Sequence, residues 1–333
     1  MRARLGFSIS FPVTVVVSVI AFVYFCTVFV FIDRWFGLMT SPGMINALVY
    51  TGVAGMCVFN YAVAILADPG RVPSTYMPDI EDSKFNIHEI KRKGGDLRYC
   101  QKCSHFKPPR AHHCRICKRC ILRMDHHCVW INNCVGHANY KAFFVFIVYA
   151  VIACFYSLVL LVGGLNSDSQ IDVQQRDSFR IIYVISGLLL LPLSVALSVL
   201  LGWHIYLVLQ NKTTIEYHEG VRALCLAQKG GTVYKHPYDL GAHENLSSYL
   251  LLDMPHNDTH RQRSPLPNIH IRHINKKMKS RDHVRVTLAR MQCHLAVVRE
   301  RETMNSLRAF EAVRASGNMD EDLESTGPLS IIR

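Results

Sequence analysis

Residues 11 to 32 read FPVTVVVSVIAFVYFCTVFVFI, 22 positions without a charged side chain. At 1.5 Å per helical residue such a run reaches about 33 Å, enough to cross a hydrocarbon core of roughly 30 Å. It is too long for the apolar core of a cleavable signal peptide and reads as a retained first span. Three more runs follow, at about 44–66, 143–165 and 181–209. The expected fold class is therefore an α-helical polytopic membrane protein with four transmembrane helices. The alternative, helices buried in one large soluble core, asks for an unusual number of fully apolar runs in one chain. A hydrophobic share of 50% against 19% charged residues agrees with lipid-facing segments.

Basic residues beside the spans set the orientation. The segment from Ala67 to Ala142 carries 14 Lys and Arg, whereas the loop from Asn166 to Arg180 has Arg176 and Arg180 against three aspartates. The first is expected on the cytoplasmic side and the second on the lumenal or extracellular side, which leaves both termini cytoplasmic. The expected divisions are residues 1–66 with helices one and two, 67–142 as a cytoplasmic cysteine-rich domain with its core at 98–143, 143–209 with helices three and four, and 210–333 as a cytoplasmic tail. The net charge of +12 lies beside apolar spans, so it is assigned to topology and anionic headgroups, and no nucleic-acid partner is expected. Asn211, Asn245 and Asn257 begin glycosylation matches, but on this topology all three stay bare.

Seven of the 12 cysteines fall between Cys100 and Cys134. In a cytoplasmic segment that density indicates metal or catalysis before disulfides. Cys100 and Cys103 make one CxxC pair, and Cys114, Cys117 and Cys120 make two overlapping ones; His113, His126, His127, Cys128 and Cys134 complete the supply. A CxxC turn lets two thiolates converge on a tetrahedral zinc ion at about 2.3 Å. Two such sites need eight ligands, which leaves one cysteine and one histidine over.

The stretch from Arg98 to Phe143, RYCQKCSHFKPPRAHHCRICKRCILRMDHHCVWINNCVGHANYKAF, resembles the cysteine-rich domain of the DHHC protein S-acyltransferases, which attach palmitate to protein cysteines, and looks closest to the plant members. Outside it, DPG at Asp68–Gly70, TTIE at Thr213–Glu216 and YDLGAHENL at Tyr238–Leu246 are similar to three further motifs of that family. The resemblance covers roughly residues 10–246. It implies two structural zinc ions, one on Cys100, Cys103, His113 and Cys120, the other on Cys114, Cys117, His127 and Cys134. Interleaved metal sites suit a segment of about 35 residues, which cannot bury much core of its own. Asp125, His126 and Cys128 remain for chemistry.

A cysteine thiol needs a base or a neighbouring positive charge to act as a nucleophile at neutral pH. His126 can take the Cys128 proton, and Asp125 can hold the imidazole tautomer. Adjacent residues seldom point the same way, so a zinc ion on His127 is expected to turn the backbone until His126 reaches Cys128. The alternative leaves Asp125 as a turn cap and Cys128 as a spare ligand. The resemblance implies thioester exchange: Cys128 takes a long-chain acyl group from acyl-CoA, typically palmitoyl-CoA, and a membrane-proximal cysteine of a substrate protein takes it in turn. It further implies an acyl cavity among the four spans, with Ala153 at the level that limits chain length. Arg98, Lys107 and Arg110 could contact the CoA phosphates or form a solvated basic face. Thr214 could hydrogen-bond Asp125, and Asn245 could satisfy backbone groups of a C-terminal segment.

After Leu246 the resemblance stops, and residues 281–315 read as basic amphipathic helix. A membrane-tethered zinc finger that only binds a partner remains a competing reading. A transporter would need ionisable residues inside the spans, where His204 alone stands. The expected location is a membrane of the endoplasmic reticulum, Golgi or plasma membrane.

Overall fold

The computed structural model describes residues 10–78, 98–168, 173–229 and 236–250; the sequon at Asn257 and the amphipathic stretch at 281–315 lie outside them. Among the described residues four helices are long and apolar enough to cross a membrane: Phe11–Phe36, Ser41–Leu66, Tyr140–Asn166 and Phe179–Leu209. Here α1 is Phe11–Phe36 and α2 Ser41–Leu66, while α3 (Tyr140–Asp168) and α4 (Val173–Leu209) contain the third and fourth spans. Proline occupies the first turn of both α1 and α2, where its missing N–H costs nothing. Thr40 caps α2 by accepting from Gly43 N at 3.2 Å. Helix α1 runs past the expected end at residue 32, through a π-helical stretch at Thr27–Ile32, and stops where Gly37 takes φ +78°. Helix α3 packs most extensively on α2 and α4. Trp35 lies flat on Gly163 of α3, where a Cβ would enter the indole.

Between α2 and α3 the chain makes three short antiparallel hairpins: β1 (Tyr99–Cys100) with β2 (His105–Phe106), β3 (His112–Cys114) with β4 (Arg119–Ile121), and β5 (His126–Cys128) with β6 (Asn133–Val135). Each is too short to stand alone in water. The segment after α2 threads them together, since Leu122 N donates to Gly70 O at 2.8 Å, Val72 N to Cys120 O at 3.1 Å and Ala138 N to Pro69 O at 3.2 Å. Gly70, at φ +98°, turns the strand there. Asp68 is more than a helix cap: it accepts from Gly70 N and pairs with Arg71 at 2.9 Å and Arg119 at 3.5 Å.

Two asparagines lock the third hairpin to the membrane helices. Asn133 Nδ2 donates to the carbonyls of Ala64, Ile65 and Ala67 at 2.9–3.2 Å, and Asn139 Nδ2 to those of Ala64 and Cys134. They satisfy the carbonyls that the end of α2 leaves without intrahelical partners. Beneath them Cys128 and Ile131 pack with Val13 of α1, Tyr61 and Ala64 of α2, and Phe143 and Ile147 of α3.

The chain divides into two compact units, one holding the described residues up to Ile215 together with the segment from Leu240, the other Glu216–Asp239. In the first, α6 (Ala242–Leu250) is held by Asn245, whose Nδ2 donates to Leu209 O at 2.8 Å and whose Oδ1 accepts from Leu240 N at 3.1 Å. In the second, Glu216 and His236 are buried and face one another at 3.8 Å. Helix α5 spans Thr214–Lys229.

Candidate active site

Strand register decides which side chains meet. His113 lies opposite Cys120 in one hairpin and His127 opposite Cys134 in the next. Each cross-strand pair joins the CxxC turn of the hairpin before it, giving clusters Cys100, Cys103, His113, Cys120 and Cys114, Cys117, His127, Cys134, each with ligand atoms within 4.8 Å of one another. His113 Nδ1 stands 3.5, 3.2 and 3.8 Å from its three sulfurs, and His127 Nδ1 stands 3.7, 3.4 and 3.6 Å from its own. A tetrahedral zinc with ordinary Zn–S and Zn–N bonds would put sulfur and nitrogen about 3.6 Å apart. None of these cysteines is disulfide-bonded, so both donor sets fit zinc in chemistry and spacing.

The pattern repeats every 14 residues: Cys100, Cys114 and Cys128; Cys103, Cys117 and Ile131; His113 and His127; Cys120 and Cys134. In the second copy Cys117 N donates to Cys114 Sγ at 3.3 Å, and in all three copies the N–H groups two and three residues on help to lower the first thiol, those of Lys102 and Cys103, Ile116 and Cys117, and Trp130 and Ile131. Cys128 therefore sits in the turn of a metal-binding knuckle. Its second ligand position holds Ile131, and the chain enters α3 at Tyr140 instead of adding a fourth hairpin. Cys128 belongs to neither cluster.

Along β5 side chains alternate, so His127 faces its metal cluster while His126 and Cys128 share the opposite face. No zinc-imposed turn of the backbone is needed; the expectation of one gives way to the period of a strand. His126 Nδ1 donates to Asp125 Oδ2 at 2.7 Å, which leaves Nε2 for Cys128, the neighbour whose thiol the ring lowers. Asp125, fully buried, accepts from Thr214 N at its Oδ1 and from Thr214 Oγ1 at its Oδ2, both at 2.8 Å. It thus caps the first turn of α5 and orients His126 at once, so the two roles set against each other in the sequence coexist.

Electrostatics follow from these bonds. Burial opposes the imidazolium, but the bond to Asp125, the neighbouring Cys128 and the charges of both push His126 up to about 9. Burial alone would raise the Cys128 thiol; the neighbouring His126, its charge and the N–H groups of Ile131 and Trp130 bring it below its ordinary value. Burial likewise raises Asp125, and His126 and Thr214 more than offset it. All three directions favour a thiolate beside an imidazolium.

The remaining expected residues divide. Arg98 spends both terminal nitrogens on Pro108 O and Ala111 O at 2.9 and 2.8 Å, and Arg110 spends its own on Asn211 Oδ1 and O at 3.1 and 2.9 Å. These bonds make both residues clamps, Arg98 closing the first knuckle and Arg110 holding the end of α4. Lys107 makes no such bond among the described residues. Ala153 is half-buried on α3, one turn before Ser157, whose hydroxyl lies 2.9 Å from both Thr27 Oγ1 and Tyr50 OH. The sequence reading missed Asn133 and Asn139; the Asn pair ahead of Cys134 was the available signal.

A family model for DHHC palmitoyltransferase matches residues 93–221. Probable protein S-acyltransferase 16 of Arabidopsis thaliana is 69% identical over 248 residues, 74% of this chain and 87% of that protein. Probable protein S-acyltransferase 15 of the same plant is 48% identical over 231 residues, 69% of this chain and 88% of that protein. The human palmitoyltransferase ZDHHC2 is 41% identical over 130 residues, 37% of this chain and 33% of that protein.

Proposed function

Since the chain belongs to the DHHC palmitoyltransferase family and is a protein S-acyltransferase of the membrane, we propose that it works by thioester exchange through Cys128. The observation that carries this reading is the line Asp125–His126–Cys128, standing apart from both metal clusters. The Cys128 thiolate attacks the thioester carbonyl of a long-chain acyl-CoA such as palmitoyl-CoA. CoA leaves as a thiolate and takes the proton from His126 Nε2. His126 then accepts the proton of a substrate-protein cysteine, whose sulfur attacks the acyl-Cys128 carbonyl and displaces Cys128. One thioester forms for each that breaks, so no ATP is consumed, and ping-pong kinetics are expected.

The two knuckles would each hold a structural zinc, fixing the hairpins that aim Cys128; neither ion takes part in the exchange. Packing of Cys128 among residues near the ends of α1, α2 and α3 supports catalysis at the membrane face, where an acyl chain gains roughly 0.8 kcal/mol per buried methylene. Ala153 and the hydroxyl group beyond it are proposed to bound the chain. Arg98, Lys107 and Arg110 are the proposed phosphate contacts. The cysteine-rich domain and both termini are assigned to the cytoplasm on the basic residues around them, and substrates are proteins with cysteines close to that face.

Purified protein in detergent, incubated with labelled palmitoyl-CoA, should take up label that neutral hydroxylamine releases. Cys128→Ser should take up none and still hold two zinc ions. Equal labelling of both proteins, or none on a folded wild type with two zincs, would sink the proposal in favour of a binding module.

A further inference from the structure

The expected spans hold no Asp, Glu, Lys or Arg and a single histidine, His204, and the thioester mechanism does not use it. It is 1% exposed near the end of α4. A buried imidazole inside a span is costly unless partnered, and its partner is the Tyr140 hydroxyl, 2.9 Å from His204 Nδ1. The His204 ring centroid lies 6.1 Å from that of His126 and 5.3 Å from that of Phe143, while Phe143 lies 5.5 Å from His126. These three rings close a triangle. Tyr140 in turn meets His204 at 5.7 Å and Tyr249 of α6 at 5.5 Å, both edge to face.

The geometry explains what a single bond to Asp125 cannot. The His126 ring hinges at Cβ, and one hydrogen bond at Nδ1 still lets it rock, which would carry Nε2 away from Cys128. Phe143 and His204 occupy the space into which the ring would turn, and Tyr140 keeps His204 from yielding. Resting on the thioester exchange proposed above, we infer that His204 is a positioning residue, which through its packing on His126 and its bond to Tyr140 holds the His126 imidazole between Asp125 and Cys128. It touches neither acyl group nor CoA. Its loss should therefore slow chemistry without weakening donor binding.

The test is acyl-enzyme formation by the full-length protein with palmitoyl-CoA, followed to saturation, with zinc content as the check on folding. His204→Ala should lower the maximal acylation rate about tenfold to a hundredfold, the scale of loss from a slightly misplaced catalytic group. The half-saturating palmitoyl-CoA concentration should stay within about twofold, since uniform donor binding is untouched. Tyr140→Phe, which removes one oxygen and opens no cavity, should show a smaller loss of the same kind. Added to His204→Ala it should cost nothing more, because the two act as one unit. His204→Gln, whose amide oxygen can still accept the tyrosine proton, should recover part of the rate. A wild-type maximal rate in His204→Ala, a loss confined to half-saturation, or additive losses in the double variant would overturn the inference. If His204→Ala loses zinc, Tyr140→Phe carries the test alone, and an unchanged maximal rate there overturns it. Failure of the wild type to form any acyl-enzyme would strike the proposed function; normal wild-type acylation with unaffected variants would strike only the role of His204.

Discussion

Asp125 is completely buried, and an ionised carboxylate is stable there only because both oxygens are bonded, Oδ1 by Thr214 N and Oδ2 by Thr214 Oγ1 and His126 Nδ1. Asp125→Asn keeps the shape but must aim an amide N–H₂ at one of those donors. Acylation of Cys128 should then fall at least a hundredfold with both zincs retained, by analogy with other acid–imidazole pairs where an amide selects the wrong tautomer. Thr214→Val leaves the backbone N–H and removes a single O–H donor, so about a tenfold loss is expected in the same assay. Residue identities of this kind were legible in the sequence, because metal and nucleophile chemistry restrict the choice to Cys, His and Asp at fixed spacing. What His126 leans on was not. Phe143 and His204 reach it from two different helices, and no local spacing records a contact across that many residues.

Hairpins make the difference between a zinc ligand and a nucleophile. The tripeptide His-His-Cys occurs at 112–114 and again at 126–128, each time on a strand whose alternation sends the middle histidine to metal. Of the differences between the copies, two decide the chemistry: Ala111 becomes Asp125, and Cys117 becomes Ile131. The first supplies the carboxylate for His126; the second withholds the partner that would draw Cys128 onto a metal ion. Ile131→Cys should restore the two-sulfur turn, so micromolar Cd2+ should inhibit acylation by this variant and produce thiolate-to-metal absorption beyond that of wild type. Unchanged cadmium sensitivity would show that the third turn is no longer shaped for metal. The period was present in the sequence, but the register that makes it meaningful, His127 opposite Cys134 and Cys128 opposite Asn133, appears only once the strands pair. Asn133 gives the element a second test. It serves three α2 carbonyls, so Asn133→Ala leaves buried acceptors unmet, at a cost of about 1–3 kcal/mol. A melting temperature lower by several degrees, with reduced acylation, is expected.

Across the whole molecule the four spans were readable from run length alone, because lipid tolerates few other sequences, and their observed ends moved by only a few residues. Helix α1 extends to Phe36, carrying Asp33 and Arg34 to its end, and α3 begins at Tyr140. The side on which each loop lies rests on the asymmetry of basic residues, and glycosylation can test it directly. Asn245 is 2% exposed and its amide bonds Leu209 and Leu240, while the Asn211 amide oxygen accepts from Arg110 and Arg123. Asn245 is inaccessible in the folded protein and Asn211 is half-buried, so their lack of glycan would say little by itself about topology. A sequon introduced between the third and fourth spans is the decisive probe, since the segment from Asn166 to Arg180 carries three aspartates and only two arginines. Expressed in cells, that variant should gain a glycan removable by endoglycosidase, and a sequon placed just after Lys84 in the basic segment should remain unmodified. The reverse pattern would put Cys128 on the lumenal side, away from acyl-CoA and from the cytoplasmic cysteines it is proposed to acylate.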